Sequence, residues 1–347
     1  MAGEPVAPGA VRLVLAPFRG ITTRIYRNAL ARHIGGFDEM LAPFVSGTGI
    51  TRISPSKLAD LVPPDGNQCL TIPQILSGSA KEIILFARVL EEYGFDHLNW
   101  NLGCPFQRIA GKGRGCGMLR EPDRLRAILD EVFRDLPLGL SVKTRLGYHN
   151  PEEIFRAIKV FNDYPLRELT IHPRIGTQVY KGEVNLQGFA ACLSHSRIPL
   201  TYNGDLYHSS KYRELQRRFP QIRSWMPGRG ALINPFLALE IRGRSLSETE
   251  KRARLQDFLQ ELFDGVTAVI PHQGKRLGYL KAIWYYLSGM FQEGGPLFAH
   301  LKGACSPGQY LSIVAEAIQQ PLASEEQMEG YFRHTLKHAG RDDGETS

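Results

Sequence analysis

Long apolar runs are missing from this 347-residue chain, and none approaches the ~18 residues that suggest a membrane span. Met1 to Ala10 holds Glu4 and two prolines instead of a basic start followed by an apolar stretch, so a secretory signal is not expected. A cytoplasmic protein with no membrane partner is the expectation. Cysteine is scarce too. The five (Cys69, Cys104, Cys116, Cys192, Cys305) are odd in number and widely spaced. No CxxC pair or Cys/His cluster accompanies them, which argues against a disulfide framework and against a metal site. Internal repeats and low-complexity tracts are absent. The Gly-rich turn of a dinucleotide-binding sheet is also missing, because the first strand candidate runs into Ala16-Pro17-Phe18-Arg19-Gly20.

What is present is an ordinary globular composition with an uneven charge. The formal net charge is +7. After residue 245 the chain has 10 Lys+Arg against 13 Asp+Glu, which leaves 32 against 22 before it. A polyanion-binding surface therefore belongs mainly to the first part. The length suits one large domain plus a small one.

Up to about residue 242, short β-rich segments alternate with amphipathic helical ones. Strands are predicted at Val11–Ala16, Phe37–Leu41, Thr71–Leu76, His97–Asn101, Gly139–Thr144, Glu168–His172, Pro199–Asn203 and Arg223–Pro227. Helices such as Ala80–Tyr93 and Asp123–Asp135 lie between them. In the latter, Leu125, Ile128, Leu129 and Val132 recur at helical spacing, with Pro122 at the start and Pro137 past the stop. Eight alternations over about 240 residues point to a (β/α)8 TIM barrel, with an open doubly wound sheet as the alternative. From Ser247 onward the strands stop. Helices are predicted at Arg252–Val269, Gln273–Met290, Pro307–Gln319 and, more weakly, Glu325–Lys337. The expected organisation is a barrel over 1–245, a small helical bundle over 246–338 and a disordered tail over 339–347.

Barrel enzymes place their functional groups at strand C-terminal ends. Those ends read Pro17, Glu39-Met40, Gln74, Asn101, Lys143 with Arg145, His172 with Arg174, Asn203-Gly204-Asp205 and Gly228-Arg229-Gly230. The last two groups follow strands seven and eight, the usual phosphate cradle of the fold. Their glycines let backbone N–H groups approach an anion, and Arg229 adds a cationic fork. Two ordinary glycine turns are the plainer alternative. Lys143 and Arg145 sit at alternate positions of one strand and share a side; His172 and Arg174 repeat the arrangement. Such cations gathered at one mouth need anionic company, either a ligand or an acidic neighbour among Glu39, Asp96 and Asp205. Cys104 lies in a loop just after a strand end, where a thiol is placed for chemistry. Cys69, Cys192 and Cys305 read as small buried hydrophobes, and Cys116 stays ambiguous. The glycine-rich run Gly111–Gly117 carries Lys112 and Arg114 and reads as a lid or a nucleic-acid contact.

Taken in order, Ala16-Pro17 with Gly20, Asn101-x-Gly-Cys104-Pro105, Lys143-x-Arg145, His172-x-Arg174 with Tyr180-x-Gly182, Asn203-Gly204-Asp205 and Gly228-Arg229-Gly230 with Asn234-Pro235 resemble the motif set of the tRNA-dihydrouridine synthases. The helical tail, with Lys275-Arg276 and Trp284-Tyr285-Tyr286, resembles that family's C-terminal domain more loosely. The resemblance implies FMN as cofactor, NADPH as its reductant and tRNA as partner. Uridines of the D-loop would be reduced to 5,6-dihydrouridine, with hydride from flavin N5 going to C6 and a proton from Cys104 to C5. It further implies that Pro17, Phe18, Arg19, Gln74, Lys143, His172, Asn203, Gly204, Asp205, Gly228 and Arg229 bind the cofactor. Asn101, Lys112, Arg145, Arg174 and Tyr180 would contact the substrate. Phe18, Arg19 and Cys116 depart from the usual family residues. A monomer is expected. Two other readings stay open: an FMN barrel acting on a free pyrimidine, as a dihydroorotate dehydrogenase does, and a non-catalytic RNA-binding barrel.

Overall fold

The computed structural model describes residues 11–46, 55–62 and 66–338; the expected tail at 339–347 lies outside the described residues. Strands β1 (Arg12–Leu15), β2 (Glu39–Leu41), β3 (Val45–Ser46), β4 (Leu70–Ile72), β5 (Gln74–Leu76), β6 (His97–Leu102), β7 (Gly139–Gly147), β8 (Leu169–Ile175), β9 (Leu200–Tyr202) and β10 (Ser224–Trp225) form one parallel sheet. The sheet curls into a barrel. Strand β1 pairs with both β10 and β2, β2 pairs with β4, and β5 pairs with β6. The third predicted strand is thus β4 and β5 in succession, split at Pro73, which has no N–H to give the ladder. Its carbonyl still accepts from Asn99 N at 2.9 Å, so the wall stays continuous. The short β3 was not expected from the sequence.

The helices in chain order are α1 (Arg24–His33), α2 (Pro55–Leu58), α3 (Ala80–Glu92), α4 (Gln107–Ala110), α5 (Pro122–Asp135), α6 (Glu153–Phe161), α7 (Leu186–His195), α8 (Ser209–Arg218), α9 (Arg229–Ile233) and α10 (Leu237–Ile241), then α11 (Glu248–Val269), α12 (Gln273–Leu287), α13 (Gly294–Gly303), α14 (Pro307–Gln319) and α15 (Glu325–His338). Local chemistry explains several boundaries. Pro122 opens α5, and Leu125, Ile128, Leu129 and Val132 form its buried stripe. Ser247 and Glu250 make a reciprocal capping box for α11. Ser306 caps α14 by accepting from Gln309 N, with Pro307 next. No described helix is long and apolar enough to cross a membrane.

The barrel interior is polar where apolar layers are usual. Gln74, Asn99, Ser141, Thr170, Thr201 and Ser224 are all buried there. Its base is sealed by Arg12, which donates to Glu39 at 2.8 Å and to Glu168. Glu39, counted above among the mouth residues, therefore belongs to the opposite end, because it opens β2 instead of ending it. Asp96 is likewise spent elsewhere, on Arg167.

Helices α11–α14 pack on the barrel through one continuous apolar core that runs from Leu13 to Ile318, and α15 packs through a separate cluster of Met328 and Phe332 with Tyr207 and Ile233. Tyr26 of α1 meets Phe258 of α11 edge to face, with ring centres 5.5 Å apart. A Cβ at Gly265 would lie 2.8 Å from Ile25 Cγ2, so glycine is what lets α11 come this close to α1. The Tyr279 hydroxyl ties α12 to the loop after β1, donating to Ile21 O at 2.8 Å beside Thr23 Oγ1 at 2.7 Å.

Candidate active site

A cavity of about 870 Å³ opens at the C-terminal ends of the strands. It is walled by Pro17, Phe18 and Arg19 after β1, Gln74, the Cys104 loop, Lys143 and Arg145 of β7, and His172 of β8. Tyr180, the Asn203–Leu206 turn and Gly228-Arg229 complete the barrel side, while α12, α13 and α15 roof it through Lys281, Tyr285, Tyr286, Phe298, Lys302 and Phe332. The sequence reading missed most of that roof. Only the cationic and aromatic residues of α12 gave a signal, because a cavity shared between a barrel and a bundle is a tertiary fact with no local pattern.

Cys104 is held by an amide ladder that crosses the barrel. Asn101 Oδ1 accepts from the N–H groups of both Gly103 and Cys104 at 3.0 Å. Asn101 Nδ2 donates to Gln74 Oε1 at 2.9 Å, Gln74 Nε2 to Asn99 Oδ1 at 2.7 Å, and Asn99 Nδ2 to Ser141 Oγ at 2.8 Å. His97 Nε2 ends the run at 2.8 Å from Ser141 Oγ. Each amide fixes the orientation of the next, so the loop bearing the thiol is set by groups on three strands. Asn101 uses its oxygen and one Nδ2 hydrogen in this way to position the cysteine, and it keeps the second Nδ2 hydrogen at the cavity wall. Gln74 retains one Nε2 hydrogen and one Oε1 lone pair for a ligand.

Cys104 is 6% exposed, and burial pushes its thiol up from the ordinary value, so it is protonated at neutral pH. Cys116 is different. It is fully buried, pushed up to about 12 by burial, and its Sγ lies 3.2 Å from Cys104 O, where it props the loop from beneath. The glycine-rich run expected to be a lid is packed against this loop. A Cβ at Gly115, whose φ is +52°, would fall 2.5 Å from Cys104 O, and one at Gly117 would fall 2.1 Å from Ala110 O. These glycines serve close approach. Lys112 is exposed and away from the cavity wall.

The cations sort into two groups. Arg174 is fully buried and does not line the cavity. It makes a bidentate pair with Asp205 at 2.8 and 2.7 Å, donates to Gly182 O at 2.7 and 3.2 Å, and faces His172 Nε2 at 3.1 Å. The substrate contact expected of it gives way to a positioning role, since every direction of its fork is already taken. Asp205 also accepts from Arg229 Nη2 at 3.3 Å. Burial, then Arg145, Arg174, Lys143 and Arg229, hold His172 well below the ordinary imidazole value. A neutral ring accepting from Arg174 at Nε2 carries its proton on Nδ1, which makes it a donor.

Lys143 and Arg145 have no acidic partner among the described residues. Burial, then Arg145, pull the Lys143 ammonium down to about 7. Arg145 donates to the carbonyls of Gly103, Ile175 and Val179 at 2.9, 3.2 and 2.6 Å. Val179 has φ +52° and ψ −92°, a costly conformation for a β-branched residue. It aims its carbonyl at Arg145 and turns Tyr180 toward the cavity, where the Tyr180 ring lies 5.5 Å from Arg145 Cζ and 4.7 Å from Arg229 Cζ. Arg229 Nη1 is buried with no hydrogen-bond partner.

These features suit a phosphorylated, electron-accepting ring system. Lys143 has no acidic partner among the described residues, Arg229 keeps one nitrogen unbonded, and the backbone of the two turns is left bare by glycine. A Cβ at Gly228 would lie 3.2 Å from Phe18, and one at Gly204 would lie 2.9 Å from the Tyr202 hydroxyl. Among the described residues no group of three His, Cys, Asp or Glu side chains is arranged to hold a metal ion.

The chain is similar in sequence to several known proteins. The chain is 27% identical over 317 residues to the tRNA-dihydrouridine(16) synthase of Neisseria meningitidis serogroup B, covering 88% of this chain and 94% of that one. It is 26% identical over 338 residues to tRNA-dihydrouridine synthase B of Pasteurella multocida, covering 94% of each. It is 29% identical over 286 residues to tRNA-dihydrouridine synthase B of Escherichia coli K12, covering 79% of this chain and 86% of that one. Among solved structures, histamine dehydrogenase from Rhizobium sp. 4-9 shares the fold at a TM-score of 0.51 and 11% identity, over 70% of this chain and 48% of that one. A family model described as dihydrouridine synthase (Dus) matches residues 14–293, well over half of the sequence, and the chain belongs to that family.

Proposed function

We propose that this protein reduces uridines of the tRNA D-loop to 5,6-dihydrouridine, with FMN as cofactor and NADPH as reductant. The observation that carries the reading is one cavity bounded by a buried thiol, a lysine with no acidic partner among the described residues, an arginine with one unbonded nitrogen and two glycine turns. The names of the relatives supply the substrate and the reaction. In this reading 1–245 is the catalytic barrel, 246–338 helps hold the tRNA, and the site of action is the cytoplasm. A monomer is the working unit in this reading.

When bound, FMN would take hydride from NADPH and supply it to C6 of the uracil. Lys143, when protonated, would supply positive charge to the ring, and Gln74 would offer it the spare donor and acceptor of its amide. Gly204, Gly228, Arg229 and the Nδ1–H of His172 hold the phosphate. Asp205, with its oxygens committed to Arg174 and Arg229, orients Arg229 and leaves the phosphate to the donors. Cys104 then gives its proton to C5, so that hydride and proton balance across the C5–C6 bond. The raised thiol pKa keeps that proton available at neutral pH. Arg145 and Tyr180 border the space left for the base, and the aromatic roof excludes water. Extracting the base costs a few kcal/mol, which stacking and phosphate contacts offset.

The test is incubation with unmodified tRNA and NADPH under conditions that keep FMN bound, followed by mapping of dihydrouridine. Product at defined D-loop positions is expected. Reduction of free pyrimidines in preference to tRNA favours the dihydroorotate dehydrogenase-like alternative, and tRNA binding with no product favours the non-catalytic one.

A further inference from the structure

Helix α15 begins 32 residues beyond the end of the family match, yet it reaches the centre of the site. Phe332 is 2% exposed and sets its ring 4.6 Å from Arg229 Cζ. The Tyr180 ring lies 4.7 Å from the same Cζ, so the guanidinium touches one ring from the barrel and one from the tail. Asp205 engages Nη2 at 3.3 Å, and Nη1 is left buried and unbonded. Two ring contacts and the Asp205 bond restrict how Arg229 can rotate about its last torsions.

The helix is itself pinned to the same corner of the barrel. Glu325 accepts from Ser209 and Ser210 at 3.1 and 2.6 Å at the start of α8, and Glu329 accepts from the Tyr207 hydroxyl at 3.0 Å. Phe332 also packs on Tyr207, with ring centres 4.9 Å apart. These anchors fix the height of the Phe332 ring over Arg229. A buried cation in contact with aromatic rings gains electrostatic stabilisation and a fixed direction, and a preformed donor binds an anion without first being ordered.

We propose that Phe332 is a positioning residue that presses the Arg229 fork into the orientation used to bind the cofactor phosphate, so that α15 contributes directly to flavin retention. This rests on the FMN reading given above. The aromatic face is the required element; apolar bulk alone does not supply it.

The experiment is FMN titration of the full-length apoprotein by quenching of flavin fluorescence, paired with thermal unfolding of the flavin-free protein. Phe332→Leu keeps the apolar bulk and removes the ring, and the FMN dissociation constant is expected to rise about tenfold. Phe332→Tyr restores the face and stays within about twofold of the parent. Met328→Ala, which trims the same helix in the same cluster with Tyr207, lowers the melting temperature but leaves FMN affinity within about twofold. If Phe332→Leu fails to fold, Phe332→Met gives the same reading with less lost volume. Leu or Met binding FMN as tightly as the parent overturns the proposal, as does Met328→Ala weakening FMN by the same factor. A parent apoprotein that binds no FMN removes the cofactor reading and this proposal together, whereas tight parental binding with an indifferent Leu variant removes this proposal alone.

Discussion

Replacing Arg174 by methionine separates structural support from substrate contact. Methionine fills much of the same buried volume but has no charge and no donors. Asp205 would lose two hydrogen bonds of 2.8 and 2.7 Å and keep only Arg229 at 3.3 Å. Gly182 O and His172 Nε2 would lose their partner as well. Breaking a buried pair from one side costs about 3–5 kcal/mol, mostly because a charge is left uncompensated. For a chain of this length the unfolding entropy is ~0.7 kcal/mol/K, which converts that loss to about 4–7 °C in melting temperature. Thermal and urea unfolding of the flavin-free protein measure it. Adding Asp205→Asn removes the stranded charge and should recover part of the loss, with a coupling of about 1–3 kcal/mol. An unchanged melting temperature together with a raised KM for tRNA would refute the reasoning and return Arg174 to the substrate surface.

Three further outcomes follow from the same geometry. The Lys143 ammonium titrates at about 7 in the folded protein against an ordinary 10.5, so the unfolded chain holds this proton more tightly. The ligand-free protein should therefore gain stability as pH rises through that window, while FMN affinity falls toward tenfold per pH unit above about 7; Lys143→Met should flatten both profiles in calorimetry and titration. Asn101→Ala strands the N–H groups of Gly103 and Cys104, and steady-state kinetics should show kcat lower by about 10²-fold. Asn101→Asp keeps that acceptor but faces an oxygen with Gln74 Oε1, and should be intermediate. Arg108, exposed at the cavity rim, should carry one phosphate contact, so Arg108→Gln should lower the salt slope of tRNA binding by about one.

Much of the barrel was legible because most strands are short, largely apolar runs bounded by Gly, Pro or Asn, and because parallel strands must alternate with helices. The eight predicted strands fall on β1, β2, the β4–β5 pair and β6 to β10. Helix α13 was not legible, since Gly294-Gly295-Pro296 opens it with residues that read as a loop. Glu39 was misplaced by counting strand ends two residues early, which moved a base residue to the mouth. Arg174 was read as facing the ligand because alternation along β8 gives it the same side as His172. Alternation fixes the side of the strand and says nothing of the depth at which Asp205 intercepts the chain. The amide ladder behind Cys104 was hidden for a similar reason: Gln74, Asn99 and Ser141 stand on three strands and carry no common motif. The bundle's share of the cavity depends on where α12 and α15 dock, which no local pattern encodes.

The central claim is that a thiol and a flavin act on one base from a shared cavity, and single-turnover oxidation of the reduced enzyme by unmodified tRNA tests it most directly. Flavin absorbance should return with one dihydrouridine formed per flavin in the parent protein. In Cys104→Ala, flavin content and reduction by NADPH should be unchanged, while tRNA-dependent reoxidation slows by about 10²–10⁴-fold. Reoxidation at the parental rate in Cys104→Ala, with the same yield of dihydrouridine, would contradict it.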